Sequence, residues 1–119
     1  MERAPAHERT SQTVLWQTVC DYLSEHWSDP GLSRKETARV FNRHPNHFSR
    51  FFHAHTKRNF RTYVNEIRLE RSLHFLRDLR YNVTDVASLC GFTDVQYFIR
   101  CFRERFGFTP GDYRKRQES

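Results

Sequence analysis

Gln96 and Arg100 stand one helical turn apart within the stretch GFTDVQYFIRCFRERFGFTPGDYR, and Asn46 and Arg50 stand one turn apart fifty residues earlier. Arginine presents a flat fork of N–H donors that fits the O6/N7 edge of guanine or a phosphate, and the Asn and Gln amides fit the N6/N7 edge of adenine. Helix, Gly-containing turn and helix in the later stretch, with a looser copy about fifty residues earlier, is the arrangement by which small proteins hold one helix rigidly against the DNA major groove. Other chemistries lack their residues. His44 and His47 are three apart and His53 and His55 two apart, but no neighbouring Cys or carboxylate completes a tetrahedral metal set. No Ser-His-Asp set, paired carboxylates or Gly-rich phosphate loop is present, so no catalytic residue, metal or cofactor is expected.

These side chains need helices to hold them. Leu15, Val19, Tyr22, Leu23 and Trp27 recur at helical spacing, and Asp29-Pro30-Gly31 stops that helix. Residues 1–13 are polar and aperiodic and are expected to be a disordered tail or linker. Ser33 with Glu36 forms a capping-box pattern for a short helix to about Val40. Asn42 tolerates the positive φ of a tight turn, and His44-Pro45 starts a helix with Phe48, Phe51 and Phe52 inward. A long helix is expected over 60–79, with Leu79 among its apolar residues and Arg68 on its charged face. Asn82 or Thr84 caps the next helix, which places Val86, Ala87 and Leu89 inside. Thr93-Asp94-Val95-Gln96 reads as a second capping box, for a helix to Phe106 with Phe98, Cys101 and Phe102 inward. Gly107 ends it, and Thr109-Pro110 opens a last short helix.

The implied fold is all-α: two helix–turn–helix subdomains, 14–59 and 80–116, joined by a linking helix over 60–79, with about seven helices in total. A chain of 119 residues with 37% hydrophobic side chains and 11 Phe can build such a core. Its charge is uneven. Residues 1–33 sum to −3, residues 34–116 to +10, and 15 of the 18 basic residues in the latter are Arg. A basic, Arg-rich segment suits a polyanion. Cys20, Cys90 and Cys101 form no CxxC pair and read as small buried hydrophobes in a reducing, cytoplasmic setting. No apolar run is long enough for a membrane span.

The chain also repeats itself. A shift of fifty residues lays Phe48 on Phe98, Arg50 on Arg100, Phe52 on Phe102, Lys57 on Gly107, Phe60 on Pro110 and Tyr63 on Tyr113. Ala38 and Ala87 are 49 apart, so the first turn region is one residue shorter. A repeat made only for packing would not place Arg50 and Arg100 alike on the face away from the Phe stripe.

The segment NVTDVASLCGFTDVQYFIRCFRERFGFTPGDYR (Asn82–Arg114) resembles the signature of the AraC/XylS family of bacterial transcription regulators, at Ala87, Gly91, Phe92, Tyr97, Phe98, Arg100, Phe102, Phe106, Gly107, Pro110, Tyr113 and Arg114. The first half resembles it at Leu32, Ser33, Ala38, Phe48, Arg50, Phe52, Tyr63, Arg68 and Leu76. Lys57 and Asn42 stand where the family commonly has Gly, and Ser72 where it has Ala. A left-handed Lys57 would carry a strain of about 1 kcal/mol, so the local bend is expected to differ there.

The resemblance implies two recognition helices in adjacent major-groove segments on one DNA face. It implies base contacts by Asn46, Ser49 and Arg50 in the first reader and by Val95, Gln96 and Arg100 in the second. Backbone contacts are expected at Ser33, Arg34, Lys35, His47, Arg61, Thr84, Arg103, Thr109 and Arg114, where helix N-termini and cations meet phosphate. It also implies a transcription regulator, usually an activator, with RNA polymerase as a partner and an effector-binding or dimerisation domain ahead of this unit. The alternatives are a protein-interaction module of the same fold that reads no DNA, and the DNA-targeting part of an enzyme.

Overall fold

The computed structural model describes residues 6–118, with side chains over 11–117. Among the described residues the chain forms seven helices and no strand: α1 (Ala6–His26), α2 (Arg34–Val40), α3 (Pro45–Thr56), α4 (Phe60–Leu76), α5 (Val83–Leu89), α6 (Val95–Phe106) and α7 (Pro110–Glu118). The expected all-α fold is therefore the observed one. Of the segment expected to be non-helical, residues 1–5 lie outside the described part and Ala6 already belongs to α1. The linking helix ends at Leu76 rather than at residue 79, with Arg77 as its cap, and this leaves Leu79 67% exposed. Leu89, at the end of α5, is also on the surface.

Side-chain caps set most helix starts. Ser33 Oγ accepts from the amide of Glu36, but the Glu36 carboxylate turns to Arg39 instead of back to Ser33, so only half of the expected box forms. Asn82 and Asp85 make a complete box, each side chain accepting from the other's amide at 2.8 and 3.0 Å. Asp94, not Thr93, caps α6: its Oδ1 accepts from the amides of Gln96 and Tyr97. A carboxylate at a helix N-terminus also complements the helix dipole, an advantage that a Thr hydroxyl lacks. Thr109 and Asp112 exchange bonds at the start of α7.

The repeat predicted from sequence is a repeat in space. Helices α3 and α6 begin and end fifty residues apart, and α2 and α5 do so 49 apart. The turn after each short helix contains one left-handed residue, Asn42 at φ 59° and Gly91 at φ 90°. The next amide then returns to the same place, Arg43 N to Ala38 O at 2.8 Å and Phe92 N to Ala87 O at 2.9 Å. Helices α3 and α6 also end alike. Lys57 at φ 61° and Gly107 at φ 86° each donate an amide 2.8 Å back, to His53 O and Arg103 O. Lys57 thus adopts the left-handed form in full, and the bend does not differ.

Each half has its own core. Val19, Leu23, Ala38, Phe48, Phe52, Phe60 and Val64 fill the first. Leu69, Leu76, Val86, Ala87, Cys90, Phe92, Phe98, Phe102 and Tyr113 fill the second. Helix α4 belongs to both, since Phe60 and Val64 pack in the first and Leu69 and Leu76 in the second. A radius of gyration of 17.1 Å exceeds the roughly 13.5 Å of a compact chain of this length, as two lobes on a shared helix require.

Between the two cores sits Arg68, which the sequence places on a solvated face and the structure buries at 8% exposure. Its Nε donates to Trp27 O at 2.8 Å and its Nη2 to Asp29 O at 2.9 Å. These carbonyls follow α1, so the guanidinium ties the end of α1 to α4. Burial lowers the Arg68 pKa, with the Asp29 carboxylate opposing the shift. Glu66 and Glu70 do not pair locally on α4: Glu66 meets Arg58 and Glu70 meets Arg105, each at 3.0 Å.

Candidate nucleic-acid interface

The two turns present the outer faces of α3 and α6 in the same register. Asn46 and Arg50 on α3, and Gln96 and Arg100 on α6, are all exposed. Among the described residues the Arg50 guanidinium has no hydrogen-bond or ion-pair partner, while Arg100 lies over the Tyr97 ring at 5.2 Å. Each of these two helices is anchored from behind by phenylalanine, Phe48 and Phe52 in α3, Phe98 and Phe102 in α6, at 1% exposure or less. Burial of such rings against a core holds the outward side chains in place. The first turn of α3 is further fixed by His44, whose Nδ1 accepts from the Asn46 amide at 3.1 Å.

Ser49 and Val95 differ from the other four expected base contacts. Ser49 is half-buried, and its hydroxyl accepts from Arg34 Nη1 at 3.0 Å. Val95, the first residue of α6, packs against the second core.

A cleft of about 790 Å³ separates the lobes and brings several backbone-contact candidates together. Ser33, Arg34 and Ser49 line it from the first lobe, Arg61 from α4, and Thr93, Asp94 and Tyr97 from the second lobe. The other candidates lie elsewhere. Lys35 borders a shallow hollow with Arg39 and Arg43, and His47 borders another with Gln12 and Leu15 of α1. Thr84 lies near Pro30 in a third, and Arg103 is exposed on α6. Thr109 serves as the cap of α7.

Arg114 is engaged within the fold. Its Nε donates to Leu76 O at 2.9 Å and its Nη2 to Asp78 O at 3.3 Å. It therefore closes the end of α4 as Arg68 closes the end of α1, on carbonyls 49 residues further along. A half-buried guanidinium that donates to Leu76 O, and to an Asp78 O that also accepts from the Tyr81 amide, is a structural clamp at this end of α4.

Sequence reasoning passed over Tyr97. Its hydroxyl accepts from Arg61 Nε at 3.1 Å and from Asn65 Nδ2 at 2.8 Å, so α6 is tied to α4. The available trace was a Tyr beside the Phe stripe of α6, since a phenol at a packed position calls for a polar partner. Among the described residues no group of three or more His, Cys, Asp or Glu could hold a metal ion, and no helix is long and apolar enough to cross a membrane.

Known proteins share this arrangement. The helix-turn-helix domain family matches residues 37–116. The uncharacterised HTH-type transcriptional regulator YpdC of Escherichia coli K12 is 34% identical over 112 residues, covering 94% of this chain and 39% of that protein. The HTH-type transcriptional activator RhaS of an Enterobacter species is 30% identical over 111 residues, covering 93% of this chain and 37% of RhaS. The chain thus spans well under half the length of these relatives. The C-terminal domain of the two-component response regulator yesN from Fusobacterium nucleatum superposes with a TM-score of 0.80 at 22% identity, over 84% of this chain and 97% of that one. The two relatives named are transcriptional regulators. With the family match extending over more than half of its length, the chain belongs to the AraC-type helix-turn-helix family, the DNA-binding domains of bacterial transcription regulators.

Proposed function

We propose that this domain binds double-stranded DNA sequence-specifically with two recognition helices, α3 and α6, set in adjacent major-groove segments on one face of the duplex. The observation that carries this reading is the duplicated turn geometry, which holds Arg50 and Arg100 in equivalent outward positions fifty residues apart. Asn46 and Arg50 read bases in the first segment, and Gln96 and Arg100 in the second. Ser49 joins the first set after exchanging its bond to Arg34 for one to DNA, and Val95 offers a methyl contact to thymine. Ser33, Arg34, Lys35, His47, Arg61, Thr84, Arg103 and Thr109 meet the sugar-phosphate backbone. A stiff α4, about 26 Å long for its 17 residues, requires the DNA to fit the spacing of the readers or to bend.

At the level of the whole regulator, the reading is a cytoplasmic transcription activator in which this unit follows an effector-binding or dimerisation domain and works with RNA polymerase. The name of RhaS supports the activator role, and the greater length of the relatives supports a further domain.

The test is electrophoretic mobility shift against genomic fragments at two salt concentrations. Specific binding survives random competitor DNA and weakens steeply as salt rises, because bound phosphates release counterions. If no fragment outcompetes random DNA, the reading fails, and a protein-interaction module of the same fold takes its place. A promoter–reporter fusion carrying the selected site then separates activation from repression.

A further inference from the structure

We infer that Tyr97 is a positioning residue that sets the spacing between the two DNA segments the domain accepts. The inference rests on the two-reader function proposed above. Tyr97 belongs to α6, the second recognition helix, yet both N–H groups that reach its hydroxyl come from the shared helix α4. Arg61 and Asn65 lie one turn apart there, so the phenol oxygen is held at two points on one face of α4. A single hydrogen bond would let α6 pivot about it, and two from successive positions resist that rotation.

The same ring organises charge around the readers. The Arg61 guanidinium lies over it at 5.1 Å and the Arg100 guanidinium at 5.2 Å. Phe92, at the base of the second turn, packs beside it at 6.1 Å. One side chain thus touches a base-reading candidate, a phosphate candidate, the second turn and the shared helix. Among the described residues the first lobe has no matching tie: His47 occupies the position equivalent to Tyr97, and it is exposed. The angle between the readers is therefore fixed from the α6 side.

The hydroxyl can be removed while the ring is kept. In Tyr97→Phe the ring contacts remain and the bonds from Arg61 and Asn65 are lost. Asn65→Ala removes one donor while leaving every residue of α3 and α6, and every residue proposed to meet DNA, unsubstituted. The measurement is binding to the selected two-part site and to the same site with one base pair inserted or deleted between its halves, together with each half alone. The unsubstituted domain discriminates strongly between correct and altered spacing.

Both variants reduce that discrimination by about 3- to 10-fold, the range of one or two net hydrogen bonds. Their binding to either half alone stays within about twofold, and their thermal midpoints fall by no more than the several degrees that one or two lost hydrogen bonds account for. Tyr97→Phe combined with Asn65→Ala changes the ratio no further than Tyr97→Phe alone, since both act on one knot. Folded variants that keep full spacing discrimination overturn the inference while leaving the two-reader function standing. An unsubstituted domain with no spacing preference overturns both.

Discussion

Gly91 and Arg68 meet at the joint between the lobes: a methyl group placed on Gly91 would stand 3.0 Å from Arg68 Nε and 2.9 Å from Ser28 O. Gly91 also sits at φ 90°, where a side chain is strained. Gly91→Ala therefore meets a steric and a conformational penalty together, and neither the Ser28 backbone nor the buried guanidinium yields cheaply. A destabilisation of about 2–4 kcal/mol is expected in urea unfolding. Gly107 shares the left-handed geometry, but a methyl group placed there would meet nothing within 4 Å, so Gly107→Ala should destabilise by only about 1 kcal/mol. Equal effects at the two positions would refute the close approach at 91.

Arg68→Lys tests the clamp itself. One ammonium cannot reproduce the geometry in which Nε takes Trp27 O and Nη2 takes Asp29 O. At least one partly buried carbonyl is left without its charged donor, a loss of about 1–2 kcal/mol. The α1 end should loosen first. Amide exchange at Gly31 and Leu32 should quicken in Arg68→Lys while exchange within α6 changes little. Uniform acceleration across both lobes would argue against a local tie.

The contrast between Arg68 and Arg100 explains how much of this protein was legible in its sequence. Arg100 recurs with Arg50 at a fixed offset opposite a Phe stripe, and period and repetition are local signals. The same holds for the seven helices and for the turns at Asn42 and Gly91. Arg68 lies on a helix among other charges, and its burial depends on carbonyls about forty residues earlier in the chain. Nothing local distinguishes it from a solvated arginine. The hold of Arg114 on Leu76 O and Asp78 O likewise depends on carbonyls far from it in the chain. Caps fall between these cases: Asp94 displaces Thr93 by one residue because competing side chains sit side by side at the helix start. The outward set Asn46, Arg50, Gln96 and Arg100 was readable, whereas the Tyr97 tie to α4 depends on packing between elements.

Lys57→Gly should stabilise the first lobe. Lys57 is left-handed at φ 61° at the end of α3, where its repeat partner is Gly107. Glycine removes the clash of Cβ with the backbone, although it also raises the entropy of the unfolded chain. The exposed bond from Lys57 Nζ to Ala54 O is lost but contributes little. A net gain of about 0.5–1 kcal/mol in chemical denaturation is expected. A loss of stability would mean that the Lys side chain matters more than its backbone strain.

Cys90 gives the domain a dependence on alkaline pH. Burial pushes its thiol up from 9.0 to about 12, with Arg68 opposing the shift. The native state therefore keeps the proton while the unfolded chain loses it. This contribution to stability is fully present below pH 9.0 and is lost progressively as pH rises toward about 12. Urea midpoints measured from about pH 8 to 11 should fall for the unsubstituted domain and fall less for Cys90→Ala, whatever the cavity does to the absolute value. In the native protein iodoacetamide should spare Cys90 until urea unfolds the chain. Parallel pH profiles for the two proteins would remove Cys90 from the account.

Arg100 and Arg103 lie one turn apart on α6, and they should fail differently. Arg100 rests against the Tyr97 ring, which orders its guanidinium before DNA arrives. Arg103 is exposed beyond it, toward the end of the helix. Arg100→Ala should weaken binding to the selected site by about 1–3 kcal/mol, relax preference at one base pair and change random-DNA binding little. Arg103→Ala should weaken selected and random DNA alike and lower the slope of affinity against salt by about one unit. Titrations of both variants on selected and scrambled duplexes at several salt concentrations separate the two roles. If Arg100→Ala reduces both affinities in proportion, Arg100 holds phosphate, and Gln96 is left as the exposed polar base reader of the second helix.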